Sequence, residues 1–170
     1  SLLKYIGKQF GVSTKLVYSN MNQPLGQTAG MWCEIDESIK ALHGKGAKDL
    51  MEVVFELGSR LIVDAGLSDT HLEAVHMQQK SISDGKAFKK FEEMVFNQNG
   101  QIKKRDDLNK PLFSKEVVCQ KDGFIKSFKT TALGWAAVEL GCGRNNKKDI
   151  LDNSAGIEFN VKVGDPIKKG

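Results

Sequence analysis

Apolar residues recur with the 3.6-residue period of an α-helix through most of the first hundred positions. The first stripe consists of Leu2, Leu3, Ile6 and Phe10, and Gly11 follows it as a stop signal. The same period returns four more times, and a glycine follows each time. We therefore predict five helices, within residues 1–10, 32–42, 50–61, 72–82 and 88–95. The polar run SDT, residues 68–70, is predicted to cap the fourth of them.

Patterns typical of β-strands lie on either side of these helices. Residues 14–18 (TKLVY) are rich in β-favouring side chains and predict a strand between the first two helices. After residue 112, two β-favouring runs at 116–120 and 124–128 flank the turn signal Asp122-Gly123 and predict a hairpin. The elements predicted beyond it are a helix at 131–140, a strand at 156–163 and a turn at 164–166.

Residues 101–112 (QIKKRDDLNKPL) are polar and charged, which is typical of a linker. A helix, a short loop and a strand in succession near the start are typical of an α/β unit. We therefore predict the α/β class, with a largely helical part at residues 1–104, a linker at 105–111 and a smaller α+β part at 112–170.

Composition excludes several classes of function. The net charge is only +4, and three arginines, Arg60, Arg105 and Arg144, stand among scattered lysines, so no nucleic-acid partner is predicted. No run of 18 apolar residues predicts a membrane span, and the start has no apolar signal core. Three cysteines without CxxC spacing indicate a reducing compartment and argue against a zinc site or a disulfide framework.

Two motifs that suggest chemistry have a simpler structural explanation. The sequence LGCGR at residues 140–144 resembles a phosphate loop, but it follows a helix instead of opening one, so Gly141 and Gly143 are predicted to be helix-ending glycines. Asp149 and Asp152 are spaced for paired acid–base work, but the basic loop before them favours an ion pair with Arg144. The three histidines, His43, His71 and His76, have no spacing that defines a site.

The connection SNMNQPLGQTAGMWCEID, residues 19–36, is more specific than an ordinary turn needs to be. Gly26 and Gly30 allow its backbone to present several carbonyl groups in one direction, just before a helix. Carboxylates follow within one or two helical turns, at Glu34, Asp36 and Glu37. Such a set of oxygens is typical of a site for a hard cation, and an ordinary strand–loop–helix junction is the alternative.

The same connection resembles a segment of the pyrimidine nucleoside phosphorylases, the family that includes thymidine phosphorylase. MNQPLGQTAG followed by EIDESIKALHGKGAKDLMEVVFELGSRLIVDAG fits the family pattern M-x-Q-P-L-G, A/V-G, E-V-x-E-A-I. A second block, TTALGWAAVELGCGRNNKKDILDNSAGIEFNVKVGDPIKKG, is similar to the family's C-terminal domain, and DGFIKSF stands where that domain has D-G-x-V. The run Met31-Trp32-Cys33 departs from the family pattern, in which an Asn-Ala-Leu type of run is common.

The resemblance implies the C-terminal part of a longer enzyme. Such enzymes transfer a pentose: phosphate attacks C1′ of a pyrimidine (deoxy)nucleoside, releasing the base and a sugar 1-phosphate. The family's phosphate-binding and catalytic residues correspond to positions before residue 1, so the resemblance implies no catalytic or substrate-binding residue in this chain and no turnover by it alone. It further implies a cytoplasmic homodimer, phosphate as co-substrate and no organic cofactor. Preference for thymidine or uridine stays open.

The resemblance also implies a metal site in the connection. Some family members bind a monovalent cation or calcium between their phosphate loop and this segment. The matching positions are the carbonyl oxygens of Leu25 and Thr28 and the carboxylate of Glu37. Residues 14–18 would then be a late strand of the family's large sheet, close to the site.

Two other functions remain as alternatives. DGFI and VGDPIKKG are similar to hairpins of lipoyl- or biotin-carrier folds, which would make the chain a non-catalytic binding or assembly module. Carrier folds modify a lysine at a hairpin tip, and neither Lys126 nor Lys129 has the usual sequence context. A phosphoribosyltransferase would share the large α/β domain, but residues 131–170 argue against it.

Overall fold

The structure is a computed structural model that describes residues 2–102 and 110–170. The predicted linker at 105–111 lies mostly outside the described residues. The helices are α1 (Leu2–Gln9), α2 (Met31–Leu42), α3 (Lys48–Asp64), α4 (His71–Ser83), α5 (Lys86–Asn97) and α6 (Thr130–Ala137), which continues as a π-helical turn over Val138–Cys142. The strands are β1 (Thr28–Gly30), β2 (Gly123–Phe124), β3 (Gly156–Glu158) and β4 (Pro166–Ile167).

The helices predicted from apolar periodicity are confirmed, with ends within a few residues of the predicted positions. Their boundaries follow local chemistry. At the start of α4 the Thr70 hydroxyl accepts the Glu73 N–H at 3.2 Å, and the Glu73 carboxylate accepts the Ser68 hydroxyl at 2.9 Å. The polar run therefore caps this helix as predicted.

Helices α3 and α4 pack closely because small residues line their crossing. Ala74 of α4 is fully buried and Ser59 of α3 is 1% exposed. At Gly58 a Cβ would lie 2.0 Å from Oε1 of Gln78, so the amide of Gln78 fills the space that a side chain would need. Gln78 Nε2 also donates to the Phe55 carbonyl at 3.2 Å, which ties α4 to the backbone of α3. Small side chains thus set the distance between the two helices.

The described strands form two small antiparallel sheets. Strand β1 pairs with β3, with Thr28 opposite Glu158 and Gly30 opposite Gly156. Strand β2 pairs with β4, with Phe124 opposite Pro166. The first sheet joins the predicted residues 1–104 part to the predicted 112–170 part. Mixed helices and small sheets of this kind are compatible with an α/β or an α+β fold.

The prediction of a strand at residues 14–18 is wrong. The described segment is irregular. The Thr14 hydroxyl donates to the nearby Val12 carbonyl, and the Lys15 amine pairs with the Asp64 carboxylate of α3 at 3.5 Å. A strand needs a neighbouring backbone to complete its hydrogen bonds, and no described strand runs alongside this one.

The predicted hairpin of residues 116–120 and 124–128 is also wrong. Residues 116–119 form no ladder, and Cys119 accepts a single backbone hydrogen bond from Gly170. The true partner of Phe124 is the C-terminal segment, because Ile125 and Asp165 continue the β2–β4 pairing with a 3.0 Å hydrogen bond.

The strand predicted at 156–163 is confirmed only at Gly156–Glu158. The chain then bends, because the Lys162 N–H donates to the Asp165 carboxylate at 2.8 Å and the Asp165 N–H returns to the Lys162 carbonyl. This bend confirms the predicted turn at Gly164, which has φ 95°, and at Asp165, but Pro166 already belongs to β4. It also brings the Lys162 side chain back towards the first half of the chain.

The glycines at the end of the sixth helix differ from each other. Gly141 has φ 103°, a left-handed conformation that ends the π-helical turn, as predicted. Gly143 occupies the C-cap position, as predicted, but its φ of −139° is extended backbone that any residue can adopt, so its conformation does not require glycine. Across residues 2–102 and 110–170 no helix is both long and apolar enough to cross a bilayer.

Candidate functional site

Residues 20–27, here called the junction loop, lead from the irregular segment into β1. The loop begins with an Asx turn, in which the Asn20 side chain accepts the Asn22 N–H at 2.6 Å. Gly26 has φ 70°, in the left-handed region. Four further backbone groups, from Pro24, Gly26 and Gln27, form hydrogen bonds with three charged side chains from other parts of the chain.

Glu37 of α2 accepts hydrogen bonds from the residues at the end of the loop. Its carboxylate accepts the Gln27 N–H at 2.6 Å on Oε1 and, on Oε2, the Thr28 N–H at 3.1 Å and the Thr28 hydroxyl at 2.6 Å. Glu37 is only 8% exposed. A buried carboxylate is costly unless its oxygens accept hydrogen bonds, and these three donors meet that requirement.

Gly26 is required here for two reasons. Its positive φ is unfavourable for a residue with a side chain. A Cβ at this position would also lie 2.5 Å from Oε1 and 2.8 Å from Oε2 of Glu37. The backbone therefore approaches the carboxylate as closely as it does because no side chain stands between them.

Asp49 and Lys162 hold the middle of the loop. The Lys162 ammonium donates to the Pro24 carbonyl at 2.8 Å, to the Gly26 carbonyl, and to Oδ2 of Asp49 at 2.6 Å. The same Oδ2 accepts the Gly26 N–H at 3.3 Å. The two side chains are only 24% and 29% exposed, so this ion pair is less screened than a surface pair.

Backbone groups near Lys162 make two further connections to the loop. The Val163 N–H donates to the side-chain oxygen of Gln23 at 2.9 Å. The Phe159 N–H donates to the Gln27 carbonyl at 2.7 Å, which extends the β1–β3 pairing by one residue. Phe159 is itself 8% exposed and belongs to the small core. The junction loop is thus held between α2, α3 and residues 159–163.

The pKa of Asp49 reflects two opposing effects. Burial acts to raise it, but the hydrogen bond and positive charge of Lys162, helped by the N–H groups of Leu50 and Gly26, outweigh burial and lower the pKa below its ordinary value of 3.8. The unfolded chain lacks these partners. Asp49 therefore binds its proton less readily in the folded chain than in the unfolded one.

This difference predicts an acid-dependent loss of stability. Because the folded pKa is depressed, the contribution of Asp49 is complete well above pH 3.8 and is lost as the pH falls through the lower, folded value. We expect Asp49→Asn to be less stable than the parent at pH 6, and the gap to narrow towards pH 2. Urea unfolding between pH 6 and pH 2 measures the difference in free energy of unfolding between the parent and the variant. Asp69→Asn, which removes a surface carboxylate, is the control. A difference that does not change with pH would contradict the prediction.

Two of the three residues predicted to bind a metal are in contact, but through the Thr28 N–H and hydroxyl and not through the Thr28 carbonyl that the prediction names. Thr28 and Glu37 are in direct contact, whereas the Leu25 side chain is 48% exposed and its backbone lies between the two carbonyls that bind Lys162. A carboxylate has about four lone-pair sites, so the three hydrogen bonds at Glu37 leave room for one more ligand, on Oε1. Backbone and carboxylate oxygens suit a hard cation, and the predicted set stays a prediction.

The other two carboxylates of the connection, those of Glu34 and Asp36, have surroundings different from those of Glu37. Glu34 is exposed and accepts the Gly30 N–H at 2.9 Å at the start of α2, where a negative charge suits the helix dipole. Asp36 is partly buried. Within residues 2–102 and 110–170 no three histidine, cysteine, aspartate or glutamate side chains are grouped as metal ligands.

The remaining candidate residues have separate surroundings. The His43 ring packs on Phe88 with centroids 4.2 Å apart, Nδ1 of His71 lies 3.2 Å from the Ser59 hydroxyl, and His76 is exposed. These contacts are structural, as expected for histidines without site spacing. None of the three faces the junction loop in the described contacts.

The predicted ion pair of Asp149 with Arg144 is wrong. Arg144 Nε donates to the backbone carbonyl of Asp149 at 3.2 Å, while the Asp149 carboxylate accepts the N–H groups of Asn145 and Asn146 at 2.9 and 2.8 Å. Asp152 binds the Ser154 hydroxyl and N–H, and these hydrogen bonds lower its pKa. Both aspartates therefore order turns, because nearby backbone donors compete successfully for them.

The two cysteines nearest the start of α2 are not activated thiols. Burial and then the charge of Glu34 raise the pKa of Cys33, and burial is the main cause that raises the pKa of Cys142. A raised pKa keeps a thiol protonated and slow to react. Cys33, Cys119 and Cys142 are free thiols.

The sequence is similar to that of known proteins. Residues 124–170 match the model for the pyrimidine nucleoside phosphorylase C-terminal domain. Over 168 residues, 97% of the chain, the sequence is 37% identical to pyrimidine-nucleoside phosphorylases of Staphylococcus haemolyticus and Staphylococcus epidermidis and 36% identical to that of Staphylococcus aureus. The chain spans about two-fifths of the length of these relatives, since the aligned part is 39% of each.

Proposed function

We propose that this chain, which belongs to the pyrimidine nucleoside phosphorylase family and corresponds to its C-terminal part, serves in the phosphorolysis of a pyrimidine (deoxy)nucleoside to free base and (deoxy)ribose 1-phosphate. The observation that carries the proposal is the 37% identity over 97% of the chain to an enzyme of that name. Phosphate is the co-substrate, no organic cofactor takes part, and the enzyme works as a cytoplasmic homodimer.

The proposal assigns the chain to two domains. Residues 1–104 end the large α/β domain that transfers the pentose, residues 105–111 are the linker, and residues 112–170 form most of the small C-terminal domain. The match to residues 124–170 supports the second domain. The antiparallel β1–β3 pairing supports a close association of the two, because it joins them through backbone hydrogen bonds.

In this proposal the chain supports the chemistry without performing it. Phosphorolysis requires cationic donors that hold phosphate in line with C1′ and a pocket that stabilises the departing base. The described residues offer instead a loop whose backbone is fixed by Glu37, Asp49 and Lys162. Because its backbone is already fixed, the loop can support a neighbouring phosphate-binding segment with little further loss of its own conformational entropy.

The proposed metal site lies at the end of the same loop. The carbonyl oxygens of Leu25 and Thr28 and the carboxylate of Glu37 would hold a monovalent cation or calcium, with further ligands from the phosphate-binding segment. Bound there, the cation supplies positive charge near the anionic co-substrate. The Thr28 N–H and hydroxyl orient Glu37 so that one lone pair of Oε1 stays available.

A domain-replacement experiment tests the proposed function. Residues 1–170 alone are expected to release no thymine or uracil from a nucleoside in the presence of phosphate. Joined to the preceding three-fifths of the S. haemolyticus relative, they are expected to restore phosphate-dependent release. Base release is followed by absorbance, with thymidine and uridine compared as substrates.

The controls separate the parts of this proposal. A chimera that folds as a dimer but releases no base would contradict the proposed role, and turnover by residues 1–170 alone would contradict the division of labour. The same chimera carrying Glu37→Gln should lose activity and its response to potassium. Replacing potassium by choline at constant ionic strength tests the cation independently of the reaction assignment.

A further inference from the structure

The Lys162 ammonium occupies a cluster of three oxygen atoms. Its contacts are two backbone carbonyls of the junction loop, from Pro24 and Gly26, and the Asp49 carboxylate. An ammonium group has three donors, and each has an acceptor here. The amine is therefore fully coordinated by protein oxygens, in the manner of a cation in a binding site.

The ligands of this cluster are the oxygen types that hard cations take. Backbone carbonyls and one carboxylate coordinate calcium and alkali ions in proteins, and here they surround a positive nitrogen instead. The cluster differs from the set proposed at Leu25, Thr28 and Glu37, because it uses other atoms and already contains a cation. A mobile ion would have to displace the amine in order to bind.

The backbone on either side of Lys162 is anchored, which keeps the amine in place. The Lys162 N–H is bound to the Asp165 carboxylate at 2.8 Å, and the next N–H, of Val163, is bound to Gln23 at 2.9 Å. When the ion pair forms, Lys162 therefore loses only the conformational freedom of its own methylene groups. This arrangement reduces the entropic cost that makes most lysine ion pairs weak.

We propose that the oxygen atoms of Pro24, Gly26 and Asp49 form a monovalent-cation site that is filled internally by Lys162. Lys162 is thus a positioning residue, because its contacts fix the junction loop relative to residues 159–163. Without the amine, two carbonyl dipoles and a carboxylate would face one another with no positive partner. The empty cluster would then take a free cation of similar size and hydrogen-bonding capacity, such as ammonium.

The test is chemical rescue of Lys162→Met, which keeps the length and apolar stem of lysine but removes the charge. The matched control is Lys168→Met, in the exposed part of the same segment. Amide NMR signals of Gly26, Gln27 and Thr28 report on the loop, and the melting temperature reports on stability. We expect the Lys162→Met signals to shift or broaden and Tm to fall by about 5 °C.

Added ammonium chloride is expected to return the three amide signals towards their parental positions and to recover at least half of the lost Tm. Tetramethylammonium chloride at the same ionic strength, which is too large and donates no hydrogen bonds, should recover neither. Unchanged loop signals in Lys162→Met, or equal recovery with both salts, would overturn the proposal. Lys168→Met should match the parent throughout.

A measurement on the parent protein covers the case in which Lys162→Met does not fold. A lysine ammonium with three protein acceptors exchanges its protons slowly, so its Nζ should give a ¹⁵N-correlated signal at neutral pH that exposed lysines do not give. Lys162→Arg identifies the signal by its loss. Absence of any slowly exchanging ammonium signal in the parent would overturn the proposal. None of these readouts depends on catalysis, so failure here is distinct from failure of the proposed phosphorolysis.

Discussion

Replacing Glu37 with glutamine is expected to lower the free energy of unfolding by about 3 kcal/mol. The carboxylate is 8% exposed and accepts the Gln27 N–H, the Thr28 N–H and the Thr28 hydroxyl. The glutamine amide nitrogen cannot accept a hydrogen bond, so at least one of these partly buried N–H groups would face another donor. Urea unfolding of the parent and the variant, followed by circular dichroism, measures the difference.

Glu34→Gln is the matched control, one turn earlier on the same helix. Its carboxylate is exposed and accepts only the Gly30 N–H among the hydrogen bonds of the described residues. We expect a loss below about 1 kcal/mol, because water replaces the missing acceptor there. Equal losses for the two variants would contradict the role assigned to Glu37 and point to helix charge as the common cause.

Gly30→Ala is expected to cost about 3 kcal/mol or more, because two independent effects add. Gly30 has φ 148°, a conformation that residues with a side chain rarely adopt. A Cβ would also lie 2.6 Å from Cα of Gly156 and 2.7 Å from the Ala155 carbonyl oxygen. Both neighbours are backbone atoms of the facing strand, so relief requires β1 and β3 to separate.

Gly66→Ala isolates the conformational part of that cost. Gly66 has φ 69°, and a Cβ there would have nothing within 4 Å. We expect a loss of about 1–2 kcal/mol, from backbone strain alone. Thermal or urea unfolding gives both values, and a Gly30→Ala loss no larger than that of Gly66→Ala would show that the two strands can part without cost.

The helices were predictable because their signals are local. Ile39, for example, belongs to an apolar stripe of 3.6-residue period and is buried, and Gly11, Gly66 and Gly85 mark ends that the structure confirms with positive φ. Thr70 caps α4 through a contact three residues away. Such features need no knowledge of the rest of the chain.

The strands were less predictable because pairing is not local. Residues 116–120 have strand-type composition but lack a ladder, while Gly123 and Phe124 pair with residues more than forty positions later. Strand propensity describes a side chain that suits a sheet and does not say which backbone lies beside it. The hairpin prediction is wrong for this reason: the nearest β-favouring run is not the strand that pairs with Phe124.

The candidate site also combines residues that the sequence indicates with residues that only the completed fold brings together. The resemblance singled out Thr28 and Glu37, and the structure places them in contact. It did not single out Asp49, whose position in the first turn of α3 is a weak signal, or Lys162, which lies 136 residues after Gly26 and has no periodic neighbour. A hydrogen bond between such distant residues follows from the completed fold and leaves no local pattern.

The pairing of β1 with β3 also has a consequence in time. Residues 28–30 are made long before residues 156–158, and a ribosome adding about 5–20 residues per second needs roughly 10 seconds to bridge that interval. Helices such as α2 and α3 form within microseconds, so they are ready while the strand opposite β1 does not yet exist. During translation the contacts of the junction loop with Lys162 and with β3 can therefore form only after residues 156–162 have left the ribosome.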